Sequence, residues 1–167
     1  MVTFFVPGLV TLDFYTSRAD LRRMLSSSRF VVAVHALSVL VCQRGKAPVC
    51  SNAIAASVHT NPVVIRRLMT ELEAAGLVTS TAGRSGGFSL ARAAESITLA
   101  DVYTAVEDET VFRMHKIDPN ADCPVAAQLG KALSPSLRAA ESAMTRSLGL
   151  TSLADVSQAI HREEAAA

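Results

Sequence analysis

The feature that most constrains this chain is the run from Ser51 to Leu90. It places two short helical patterns, a helix start and a glycine-rich turn in fixed order. Residues 51–58 read as a short helix with Ser51 as its cap and Ile54, Ala55 and Val58 facing inward, and His59-Thr60 makes a turn. Asn61-Pro62 is then a strong start signal. Asparagine accepts from the free N–H groups of a first turn, and proline at the first helical position needs no donor. The helix it opens runs to about Ala75, with Ile65, Leu68, Met69 and Leu72 as a buried stripe and Gly76 as the stop. Leu77–Ser80 and Phe88–Leu90 read as paired strands around the loop Thr81-Ala82-Gly83-Arg84-Ser85-Gly86-Gly87.

Upstream, residues 27–44 form a helix capped at Ser27 or Ser28, with Phe30, Val34, Leu37 and Val41 at helical spacing. Downstream, a helix at 99–107 starts at Thr98 and carries Leu99, Val102 and Val106 on one face. The order helix, short helix, turn, helix, hairpin is that of a winged helix-turn-helix. The expected fold is mainly α with a small β-hairpin. After an irregular polar stretch at 108–122, a long helical pattern runs from Pro124 to Leu148, with Ser134-Pro135 as a weak point. Its apolar positions are Val125, Leu129, Leu133, Leu137, Ala140 and Met144. Thr151 caps a last helix at about 152–161. Residues 1–23 have no sustained period and carry Pro7-Gly8. They read as a loose extension or a mis-assigned start, outside the fold. The expected division is therefore extension 1–23, DNA-binding domain 24–107, and linker with dimerisation helices 108–167.

Charge divides the chain along the same lines. Residues 24–92 carry seven Lys/Arg against two acids, whereas residues 93–167 carry six against eleven. A basic half joined to an acidic half points to one polyanion-facing module, with chance segregation as the plain alternative. In the basic half, a helix N-terminus offers N–H groups to a phosphate, and a helix fits the major groove of B-DNA. Arg66 and Arg67 lie on or beside the solvent face, and Arg84 at the hairpin tip can enter the minor groove. Read in isolation, the two helix arginines are ordinary solvated charges and the loop a plain turn; the combination favours DNA. The loop lacks a G-x-x-x-x-G-K-[ST] pattern and no helix follows it directly, so a nucleotide site is rejected. The candidate DNA-contacting residues are Arg29, Ser51, Asn61, Pro62, Val63, Arg66, Arg67, Thr70, Arg84, Ser85 and Gly86.

Other functions have less support. Paired acids with a base, a nucleophile motif and metal-ligand spacing are all missing, so no enzyme is expected. No stretch is long enough to span a membrane, and the three scattered cysteines fit a reducing, cytoplasmic location. The runner-up is a winged-helix protein–protein module without DNA binding. The long apolar stripe either folds back on the core or packs on a second copy, through Leu129, Leu133, Leu137, Ala140 and Met144; the homodimer is the favoured reading.

Residues 29–37, 61–68, 72–78, 83–91 and 97–107 resemble the Rrf-type winged-helix transcription regulators, relatives of IscR, NsrR and CymR. Asp122–Val125 and Thr151–Val156 fit as well, so the resemblance spans nearly all of 24–160. It implies a homodimeric repressor or activator reading an inverted repeat in double-stranded DNA, with repressor preferred. Iron–sulfur members place three cysteines between the fourth helix and the long one. Here that region holds only Cys123, and one thiolate cannot hold a cluster that needs four protein ligands. The chain therefore looks like the cluster-free branch, some of whose members sense oxidants or electrophiles through thiols; no cofactor and no metal are expected. Cys123, just before a helix start, is the candidate sensor thiol, and a buried core residue is its bland alternative. Cys50 could serve as its partner or be structural. Cys42 is assigned to the core, and His35 to the core or an interface.

Overall fold

The computed structural model describes residues 28–43, 47–83, 85–107, 111–112 and 124–166. Within them the chain forms α1 (Ser28–Cys42), α2 (Ser51–Val58), α3 (Pro62–Ala74), β1 (Val78–Thr81), β2 (Gly87–Leu90), a 3₁₀ turn at Ala94–Ser96, α4 (Leu99–Val106), α5 (Pro124–Leu148) and α6 (Leu153–Ala166). This is the expected helix-rich fold with one antiparallel hairpin. The extension 1–23, the cap candidate Ser27, and residues 108–110 and 113–123 lie outside the described residues.

One core serves α1 to α4. Ala33, Ala36, Leu37 and Leu40 of α1 meet Ile54 and Ala55 of α2 and Ile65, Leu68, Met69 and Leu72 of α3. Leu77, Val78, Ile97, Val102 and Val106 close it below the hairpin. The buried arc of α1 corrects the assignment of Cys42 to the core. Cys42 is exposed, because it sits two residues past Leu40, about 200° around the helix. His35 is exposed too, which excludes the core alternative for it, and its Nε2 lies 3.0 Å from Ser57 Oγ of α2.

The caps explain where the helices start. Asn61 is extended (φ −77°, ψ 133°) and its side chain accepts from the Val63 N–H, with Pro62 at the first helical position. Thr98 opens α4 with a reciprocal pair: its Oγ1 accepts from Asp101 N at 3.1 Å, and Asp101 Oδ2 accepts from Thr98 N at 2.9 Å. Two expected caps move by one residue. Ser51 is the first helical residue of α2, not its cap; Cys50 holds that position without a side-chain bond. In α6 the cap is Ser152, not Thr151. Ser152 Oγ accepts from Asp155 N at 3.1 Å, while Asp155 Oδ2 accepts from Ser152 N at 2.8 Å. Thr151 is committed elsewhere, its carbonyl accepting from Leu99 N at 2.9 Å. The α6 helix is also longer than expected, and its first residue, Leu153, is fully buried in the common core.

The α5 helix runs unbroken through Pro135. One proline removes a single ladder bond, and 25 residues of mostly good helix formers absorb that loss.

Candidate nucleic-acid interface

On α3 the residues opposite the buried stripe are Val63, Arg67 and Thr70. Their spacing of four and three residues puts them in one outward line. All three are exposed. The first turn carries no acid, so the positive end of the helix dipole is unopposed there. Asn61 is exposed and spends its Oδ1 on Val63 N at 2.8 Å, while Pro62 is half-buried. Arg66 is exposed beside this line, its Nε donating to the Pro62 carbonyl at 3.3 Å. Thr70 Oγ1 donates to the Arg66 carbonyl at 2.9 Å. Arg67 makes no hydrogen bond or ion pair with a described residue, which leaves its guanidinium available to a ligand.

Both acids of α3 are occupied. Glu71 forms an ion pair with Arg29 of α1, across one flank of the helix. Arg29, Val32, Val64, Arg67 and Glu71 line the cleft on that side. On the other flank, Glu73 Oε1 accepts from Ser80 N at 2.8 Å and from Ser80 Oγ at 2.7 Å. These two bonds hold the Glu73 carboxyl below the usual carboxylate range. They also join the recognition-type helix to the first strand of the hairpin. Nothing local in the sequence marks Glu71 and Glu73 as partners of other residues. Their partners lie 42 and seven residues away, and no local period marks such pairs.

The hairpin pairs Val78 with Leu90, Thr79 with Ser89, Ser80 with Phe88 and Thr81 with Gly87. Val49, just before α2, adds a bridge on the outer side of β2, with Val49 N to Phe88 O at 3.0 Å and Phe88 N to Val49 O at 2.9 Å. Gly87 makes this crossing feasible, and Gly86 the tight turn of the hairpin itself. A Cβ on Gly87 would lie 2.5 Å from the Val49 carbonyl, and one on Gly86 would lie 2.2 Å from the Thr81 carbonyl oxygen. Ser85 is exposed beside the tip, whereas Arg84 lies outside the described residues. Cys50 follows the Val49 bridge and lies beside Gly87, near the loop end of the hairpin, and it is exposed. Cys123 lies outside the described residues.

On α5, Leu129, Leu137 and Met144 are half-buried, while Leu133 and Ala140 are exposed. Val125 at its start is 66% exposed.

Residues 26–159 match the family model described as "Rrf2: Iron-dependent Transcriptional regulator". The chain belongs to the Rrf2 family. It is 39% identical over 131 residues to YwnA of Bacillus subtilis (strain 168), named as an HTH-type transcriptional regulator, covering 78% of this chain and 95% of that one. A Lactobacillus plantarum protein described as a transcriptional regulator superposes with a TM-score of 0.67 at 26% identity, covering 82% of this chain and 97% of the other. CymR, the global cysteine regulator of B. subtilis, shares the fold, with a TM-score of 0.58 at 20% identity over 79% of this chain and 95% of its own. This Rrf2 chain is thus a DNA-binding transcriptional regulator and not an enzyme, which decides against the protein–protein module. Among the described residues, no helix is long and apolar enough to cross a membrane.

The family description names iron, but the donor set of this chain does not fit a cluster. Cys42 ends α1 and Cys50 precedes α2, so neither belongs to the α4–α5 connection. That connection supplies a single thiol, Cys123. Among the described residues, no group of three or more His, Cys, Asp or Glu is placed to hold a metal ion.

Proposed function

We propose that this Rrf2 regulator acts as a homodimeric repressor on an inverted-repeat operator, with α3 in the major groove and the hairpin tip on the adjacent minor groove. The observation that carries this reading is on α3 itself: both its acids are engaged with Arg29 and Ser80, while Arg67 projects outward without a partner among the described residues. Residues 24–107 form the DNA-binding unit and 108–167 the linker and dimerisation helices, with 1–23 dispensable for both. Arg29, Ser51, Asn61, Pro62, Thr70, Ser85 and Gly86 contact the backbone around the groove, and Arg66, Arg67 and Arg84 carry the affinity. Phosphate contacts of this kind make binding salt-dependent. Arg66→Ala, Arg67→Ala and Arg84→Ala should each weaken operator binding by about 1–3 kcal/mol, a base reader relaxing specificity and a phosphate contact flattening the salt slope. Unchanged affinity of the Arg66→Ala/Arg84→Ala double variant at physiological salt would end this assignment.

Sensing is assigned to thiols. Cys123 lies beside the linker between the two units, and the exposed Cys50 lies near the loop end of the hairpin. A peroxide would convert a thiolate to a sulfenic acid with release of hydroxide, and an electrophile would alkylate it. Either change biases the spacing of the two DNA-reading helices. Anaerobically purified wild type and Cys123→Ser are compared for DNA binding before and after dilute hydrogen peroxide. Identical responses remove Cys123 as the sensor.

A further inference from the structure

The outward line of α3 begins with an unexpected side chain. Val63 is 53% exposed at the second position of the helix, in line with Arg67 and Thr70 and flanked by the exposed Val64 and Arg66. A valine is a poor choice for a solvated helix surface, since it lowers helix propensity and leaves apolar area in water. Its position is nonetheless tightly held. The Val63 N–H donates to Asn61 Oδ1 at 2.8 Å, and the preceding Pro62 has a fixed φ. A β-branched side chain in a helix has essentially one χ1 rotamer. Val63 is therefore a rigid apolar knob at the leading end of the helix, one turn before an arginine.

We propose that Val63 determines sequence specificity by packing on the C5-methyl group of a thymine in each half-site. The inference rests on α3 being the DNA-facing helix. In the major groove, thymine alone among the unmodified bases presents a methyl group, so an apolar side chain there discriminates by burial. Arg67, four residues on, stands about 6 Å further along the helix axis. That distance corresponds to one or two base-pair steps of 3.4 Å. Arg67 fits the O6 and N7 acceptors of guanine, so the two residues together read a thymine and a guanine within two base pairs of each other.

The test uses the full chain. Duplexes are selected from a randomised library, and the selected half-site is resynthesised with deoxyuridine in place of thymidine at each position in turn. Deoxyuridine removes only the methyl group. One position per half-site should show about fourfold weaker binding by wild type, the equivalent of one buried methyl at ~0.8 kcal/mol. Val63→Ala, a change at an exposed helix position, should bind the thymidine and deoxyuridine duplexes equally and still respond to Arg67→Ala. If no position changes by more than twofold, or if Val63→Ala keeps the full methyl effect, the inference is overturned. If that happens while Arg67→Ala still weakens binding, α3 remains the DNA face and only Val63 is wrongly assigned. If the selection yields no sequence and Arg67→Ala has no effect, the reading of α3 falls and this inference with it.

Discussion

Helices α3 and α5 carry the same kind of apolar stripe and meet different fates. In α3, Ile65, Leu68, Met69 and Leu72 are at most 4% exposed, because α1, α2 and α4 surround them. In α5 the stripe remains open: Leu133 is 40% exposed, and no described α5 side chain joins the common core. An apolar stripe at helical spacing thus records that a helix is covered, without saying by what. For α3 the cover is the rest of the chain. For α5 the proposed cover is α5 of a second copy.

The largest expected effect comes from breaking that second cover. Leu129→Asp with Leu137→Asp should give monomers in sedimentation, since a desolvated carboxylate in an apolar seam is strongly unfavourable. Operator affinity should fall by roughly 10²–10⁴, the advantage of two linked reading heads over one. In the wild-type dimer the two α3 helices would stand about 34–36 Å apart, one turn of DNA. A wild-type monomer at micromolar concentration would refute the dimer and leave the α5 stripe without a partner.

The next effect separates the two stripes within one monomer. In the Leu129→Asp/Leu137→Asp background, Leu72→Ala should cost about 2–5 kcal/mol of stability in urea titration, as a cavity in a closed core does. Leu133→Ala in the same background should change stability by less than about 0.5 kcal/mol. Comparable losses would mean that α5 folds back on its own core.

The contrast also shows which parts of the molecule could be read from the sequence. Features set by neighbouring residues were legible. Asn61-Pro62 fixed the start of α3, and its buried stripe matched position for position, because the polar residues between those positions leave only one face for the core. Where local chemistry offered two solutions, tertiary contacts chose. Thr151 and Ser152 are both acceptable caps, and the bridge between Thr98 and Ser152 selects the second. The α1 segment is apolar almost all round, so nothing local distinguished the buried arc at Ala33, Ala36, Leu37 and Leu40 from Cys42. Around the candidate interface, Arg66 and Arg67 were visible as charges. The pairs that shape their surroundings, Arg29–Glu71 and Glu73–Ser80, exist only after α1 and the hairpin have packed on α3.

The smallest expected effect tests the link between α3 and the hairpin. Glu73 is exposed, and its bonds to Ser80 lower its pKa from the ordinary value of 4.5. A carboxyl whose folded pKa lies below its unfolded value stabilises the fold above the unfolded value. That contribution is lost as pH falls through the folded pKa. Glu73→Gln keeps an accepting oxygen but removes the charge. Its melting temperature should lie slightly below that of wild type at pH 7, and the gap should close on acidification below about pH 4.5. Asp155, lowered by its own bonds to Ser152, contributes equally to both proteins and cancels in the comparison. A gap unchanged between pH 7 and pH 3 would show that the Glu73 charge adds nothing to the tether. The hairpin would then be held on α3 by the apolar packing of Leu77 and Val78 and by hydrogen bonds to Ser80 that need no charge.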